Sequence, residues 1–83
     1  MSKFAELFES NAFVVKCFAS KKFYGYLAGF KQGSRLYSDQ ISKAEKFKSA
    51  EEADSEGDSW MDSFTKAGAD YHVLDAKTGK RIL

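Results

Sequence analysis

The stretch Ser49 to Gly68, SAEEADSEGDSWMDSFTKAG, limits what this chain can become more than any other. It is the one run long enough for a substantial helix. Ser49 followed by Glu52 is a capping box: the serine hydroxyl accepts from the N3 amide, and the glutamate reaches back to the cap. Phe47, just before the cap, is placed to pack on the first turns. Ala50, Ala53, Gly57, Trp60, Met61 and Phe64 fall at helical spacing on one face. Gly68 sits where a helix commonly stops, since glycine takes a left-handed conformation without strain. The middle, Asp54 to Ser59, is weak, and its glycine costs roughly 1 kcal/mol against alanine. Asp58 or Ser59 is able to cap a second helix at Trp60. The stretch therefore reads as one helix over about 49–67, or as two with a break near Gly57. The apolar face stays in phase across the weak point, which favours one.

The outer face of that helix carries Glu51, Asp54, Asp58 and Asp62 in a stripe, with Glu52 and Glu56 further round. A solvated face is the plain reading. Glu51 and Asp54 also suit the positive N-terminal end of a helix. The sharper reading is a docking stripe for a basic partner, with mimicry of nucleic-acid phosphates as one version. A cation between Asp54 and Asp58 is disfavoured, because calcium-loop spacing is absent. No metal and no cofactor is expected.

Eighty-three residues make one domain, 1–83, with a modest core. A content of 43% hydrophobic and 16% aromatic residues suits a folded chain rather than a disordered one. The single cysteine, Cys17, rules out an internal disulfide and a cysteine-based metal site, and suits a reducing cytosol. Lys3, Glu6 and Glu9 break up the N-terminal segment, so no signal peptide is read there, and no apolar run has the length of a membrane span. The net charge of +1 hides segregation: residues 1–37 carry +4, residues 38–62 carry −5, and residues 63–83 carry +2. A molecule so divided can steer toward either sign of charge.

Ser2 to Ser10 reads as a short amphipathic helix with Phe4, Leu7 and Phe8 on one face. Ala12 to Ala19 reads as a strand whose Phe13, Val15, Cys17 and Ala19 point to the core, with Val14, Lys16 and Phe18 opposite. Ser20 to Lys22 is a turn, Phe23 to Phe30 a second strand, Lys31 to Ser34 another turn and Arg35 to Ser38 a third strand. Gly25 and Gly29 suggest a bulge or a close backbone approach. Asp39 to Lys48 links this meander to the helix, either as a turn of helix through Ile41, Ala44 and Phe47 or with Phe47 in an extended piece. Ala69 to Leu74 alternates as a strand, 75–79 is a hairpin loop, and Lys80 to Leu83 pairs back. The fold class is α+β: a small antiparallel sheet of four to five strands packed by one main helix, plus a short N-terminal helix.

Catalysis is not indicated. His72 is the only histidine, with Asp70 on its face, and no activated serine or cysteine stands at readable spacing. Cys17 reads as a small core residue. Lys16, Phe18, Lys21, Lys22, Tyr24 and Tyr26, with Lys31 and Arg35, interleave bases and rings on the meander. That composition suits single-stranded nucleic acid, although no RNP-type motif is present. A protein-binding module is the favoured class, with aromatic anchors on one face and acidic guides on the other.

Tyr26, Leu27, Ser38, Asp39, Ile41, Ala44, Phe47, Ser49 and Glu52 stand in a pattern, spanning roughly residues 13–53, that resembles small accessory proteins of tailed bacteriophages. The resemblance implies a protein acting in the host cytoplasm. Proteins of that sort often bind and inhibit a host enzyme or defence complex, anti-CRISPR proteins among them. It carries over no functional residues. The expectation is a non-catalytic binder of a host protein. Nucleic-acid binding is the alternative, and a homodimer is compatible with exposed sheet edges.

Overall fold

A computed structural model describes residues 12–64 and 68–83. The helix expected over Ser2–Ser10 lies outside the described residues. The meander begins as its alternation requires: β1 (Phe13–Ala19), β2 (Lys22–Lys31) and β3 (Ser34–Ser38) follow one another antiparallel. Each connection is a two-residue loop with both φ angles positive, Ser20 (54°) and Lys21 (67°), then Gln32 (54°) and Gly33 (83°). Such turns match the right-handed twist of the strands they join. After the helix, α1 (Ala50–Ser63), the strand β4 (Asp70–Asp75) returns beside β1. The result is an α+β fold with a four-stranded antiparallel sheet in the order β3-β2-β1-β4.

Residues 80–83 pair back on β4 without forming a named strand. Leu74 bridges Arg81, and the Ile82 N–H donates to the Val73 carbonyl at 2.7 Å.

Two irregularities shape the meander. The first is a bulge in β2. Cys17 lies opposite Gly25 and Phe18 opposite Phe23, so Tyr24 is an extra residue. The second is a split between β1 and β2. Their pairing stops at Lys16–Tyr26, and the link to the helix enters the gap. Phe13 and Phe47 exchange backbone bonds of 3.0 and 2.8 Å, and the Glu45 N–H donates to the Leu27 carbonyl at 2.9 Å. A 3-10 turn at Ile41–Lys43 precedes this wedge. The Lys46 ammonium holds the turn by donating to the carbonyls of Ser42 (3.1 Å) and Ala44 (2.8 Å). Of the two readings of the link, the extended Phe47 holds; the helical turn covers Ile41–Lys43 and does not run on through Ala44 and Phe47.

The main core lies between sheet and helix and joins Val15, Cys17, Leu27, Val73, Ala53 and Trp60. Val14 faces the other way, yet it too is fully buried. The linker covers it: Ala44 and Leu74 pack there, with Tyr26, Ile41 and Ala76 at the margin.

The helix starts where the capping box places it. Ser49 Oγ accepts from the Glu52 N–H at 3.0 Å. Glu52 Oε1 takes the Lys48 N–H at 3.1 Å, one residue before the cap. The helix is continuous through Gly57, which is buried. Its C-terminal end is corrected: the helix closes at Ser63 rather than near 67, and Phe64 is extended at φ −86°, ψ 117°. Leaving the helix lets the Phe64 ring stack on Trp60 (4.6 Å) and meet Tyr24 edge-on (5.0 Å). Gly68 is therefore not the helix stop. Its positive φ of 77° belongs to the entry into β4, where its carbonyl accepts from the Ser20 N–H at 3.1 Å.

Candidate functional site

Two surfaces carry the residues singled out from the sequence. The first is the acidic edge of α1. Of its 14 residues six are acids and none is basic. The structure does not leave the stripe uniform. Tyr71 rises from β4 across Gly57, and its hydroxyl lies 2.7 Å from Asp54 Oδ1, 3.0 Å from the Asp54 carbonyl and 3.2 Å from Asp58 Oδ1. Burial, and then the bond to Asp54 and the nearby carboxylates, push the Tyr71 hydroxyl pKa up, so it stays a donor. Asp54 is thus half-buried and internally engaged, whereas Asp58 is exposed and only touched by the Tyr71 hydroxyl. Glu56 points the other way and forms an ion pair with Arg35 at 2.7 Å. Glu51 and Asp62 are exposed at opposite ends of the helix, and among the described residues neither has an ion-pair partner.

The second surface is the sheet face away from the helix. Lys16 lies opposite Tyr26 on one side and His72 on the other. Its ammonium sits 5.5 Å from the centre of the Phe18 ring and 5.4 Å from that of Phe23. Both rings offer their electron-rich faces to the cation. Phe18 also meets the His72 ring at 4.6 Å, and Phe23 meets Tyr26 edge-on at 5.3 Å. Burial lowers the His72 pKa first, and the Arg81 charge then adds to it. Asp70, 4.0 Å away, opposes this shift, while Lys16 reinforces it. Lys21 and Lys22 are exposed at the adjoining turn.

Tyr24 does not belong to this surface, and its place beside Lys16, Phe18, Lys21, Lys22 and Tyr26 is corrected. The β2 bulge turns it to the helix side, where it meets Tyr37 (4.9 Å), Phe64 (5.0 Å) and Trp60 (6.3 Å). The Trp60 indole N–H donates to the Tyr37 hydroxyl at 3.0 Å, which ties this cluster to β3. Phe23 takes the position on the outer face that strict alternation assigned to Tyr24. Phe23, His72 and Arg81 complete the basic aromatic surface. The sequence signal for His72 was its two-residue spacing from Asp70. Phe23 offered no such signal, because a bulge reverses the alternation without a fixed residue pattern.

Cys17 is fully buried, and burial pushes its thiol pKa up to about 12, against the opposing charge of Arg35. Such a thiol is protonated and poorly nucleophilic at neutral pH. Among the described residues no group of three or more His, Cys, Asp or Glu side chains is placed to hold a metal ion. No helix among them is long and apolar enough to cross a membrane. No protein-family model, curated protein or solved structure matches the chain.

Proposed function

We propose that this protein is a non-catalytic binding module that docks the acidic edge of α1 on a basic surface of a partner protein. The observation that carries the reading is the charge pattern of the helix. A helix stabilises itself with acids in its first turn and bases in its last. Here the last turn has no base and carries Asp62, which opposes the helix dipole at a cost of about 0.3–1 kcal/mol. Glu51 and Asp62 are eleven residues apart, about 16 Å along the axis, and Asp58 lies between them on the same side. That spacing suits a row of cations on a flat protein surface. In line with the resemblance to accessory phage proteins, the partner is a host protein in the bacterial cytoplasm and binding blocks its activity.

The test is a pull-down from bacterial lysate with nuclease present, comparing the wild type with a Glu51→Lys, Asp62→Lys double variant. Asp54 and Asp58 are left intact because Tyr71 holds them. One stoichiometric partner that the variant loses is the expected result. Equal retention by the variant would remove the acidic edge from consideration.

A second reading is favoured by the opposite face. Lys16 with Phe18, Phe23, Tyr26 and His72 joins ring faces to positive charge, as surfaces that stack single-stranded bases do. Affinity for an oligonucleotide that falls steeply with salt and is lost on Lys21→Glu, Lys22→Glu substitution would promote it.

A further inference from the structure

The sheet has two edges, β3 and β4, and they are finished differently. The β4 edge is covered by the C-terminal residues: the Val73 N–H donates to the Leu83 carbonyl at 3.0 Å and the Asp75 N–H to the Lys80 carbonyl at 2.8 Å. The β3 edge has no such cover among the described residues. Among the described residues no backbone group of Arg35, Leu36 or Tyr37 bonds outside the ladder with β2. Which groups face outward follows from the register. Within a strand, a residue's N–H and C=O point to the same side. The Leu27 carbonyl accepts from Glu45, so Leu27 faces away from β3. Its partner Tyr37 therefore directs its own N–H and C=O to the open edge, and Arg35, two residues earlier, does the same.

The side chains around this edge are apolar and half-exposed. Tyr24, Phe30, Leu36 and Tyr37 are 39%, 56%, 39% and 37% exposed, and all lie on β2 or β3. The helix packs chiefly over β1 and β4 and reaches β3 through side chains, Glu56 to Arg35 and Trp60 to Tyr37. Strand edges are usually guarded by charged side chains, lysine above all, or by proline; β3, SRLYS, carries only Arg35, whose charge is paired with Glu56.

That sequence is also nearly self-complementary when run against itself. We propose that β3 pairs antiparallel with β3 of a second copy about a two-fold axis at Leu36, making one continuous sheet. This register sets Arg35 opposite the second copy's Tyr37 and Tyr37 opposite its Arg35. These are the outward-facing residues, so each pair exchanges both of its backbone bonds. Leu36 meets its own counterpart in the intervening non-bonded pair, where side chains approach most closely. Ser34 lies opposite Ser38, and no like charges meet. An axis at Arg35 would set guanidinium against guanidinium, and an axis at Tyr37 would carry Arg35 past the strand end to Asp39. The proposal is independent of what the acidic edge binds.

Sedimentation equilibrium of the full chain tests it, with Leu36→Lys, Leu36→Glu and their equimolar mixture. The wild type is expected at the mass of two chains. Each variant alone, with like charges facing across the axis, falls to one, and the mixture returns to two because lysine then faces glutamate. Circular dichroism checks that the variants keep the wild-type fold. A wild type that stays at one chain at the highest soluble concentration overturns the proposal, as does a two-chain mass retained by Leu36→Lys. Amide exchange gives a reading that needs no variant: the Arg35 and Tyr37 N–H groups should be protected in concentrated protein and lose protection on dilution. Two-chain mass with those amides unprotected places the contact elsewhere and equally overturns it.

Discussion

Replacing Gly57 with alanine sets two physical rules against each other. In an exposed helix interior the change is favourable by about 1 kcal/mol. Here Gly57 is buried against β4, and an alanine Cβ would collide with the Tyr71 ring. The clash includes Cγ, at 2.8 Å, the ring atom bonded to Cβ. Rotating the ring cannot relieve contact at its root, so Tyr71 must shift as a whole and its hydroxyl must leave Asp54. Overpacking costs about 1–3 kcal/mol. Loss of a hydrogen bond to a charged group costs roughly 1.5–3 kcal/mol at full burial, and less at this part-exposed site. Set against the propensity gain, the net is a destabilisation of about 2 kcal/mol. Urea unfolding followed by Trp60 fluorescence measures it. With a slope near 1 kcal/mol per molar, the midpoint should fall by about 2 M with the slope unchanged. All samples need one protein concentration, because dimerisation through β3 would make the midpoint depend on it. In a Tyr71→Ala background the collision partner is gone, and Gly57→Ala should then stabilise by about 1 kcal/mol. A Gly57→Ala variant that is more stable than wild type in the native background would refute the reasoning.

Two further outcomes follow from Cys17 and His72. Cys17, fully buried with its pKa pushed up to about 12, should resist alkylation by iodoacetamide in native protein at neutral pH and react readily in urea; equal rates in both would contradict its placement. His72 has a folded pKa below its unfolded value of about 6.5, so the unfolded chain binds the extra proton and stability falls as pH drops below that value. His72→Gln should flatten the wild-type loss of urea midpoint between about pH 7 and pH 5.5, and an unchanged slope would show that burial and the Arg81 charge do not hold the His72 pKa below its unfolded value.

Local chemistry made much of the fold legible. The Ser49–Glu52 cap, the apolar face of Ala53, Gly57 and Trp60, and the two tight turns each rest on residues within a few positions of one another. The end of α1 was read wrongly because Gly68 looked like a stop, whereas Phe64 leaves the helix four residues earlier to join Trp60 and Tyr24. That departure is decided by rings distant in sequence, and no local rule contains it. The acidic stripe was legible as a pattern but not as a set of roles. Asp54 and Glu56 were read as parts of the acidic outer face. Tyr71, 17 residues from Asp54, and Arg35, 21 residues from Glu56, give them internal partners.

The same logic explains why the two faces of the sheet differ. A four-stranded sheet with one helix should leave its second face open to water, and Val14 should lie there exposed. Instead β1 and β2 part beyond Lys16, and the linker closes that end of the face over Val14. The bulge at Tyr24 sets the character of the other end. It moves one ring to the helix side, where it supports Trp60 and Tyr37, and brings Phe23 over Lys16. Tyr37, fixed by Trp60, also belongs to the β3 edge, whose outward backbone groups have no partner among the described residues. One inserted residue in β2 thus supplies the support behind the open edge. Deleting Tyr24 would remove the bulge and leave Phe23 opposite Phe18 on the outer face, so the contact with Lys16 should survive while the helix side loses the ring that supports Tyr37, Trp60 and Phe64.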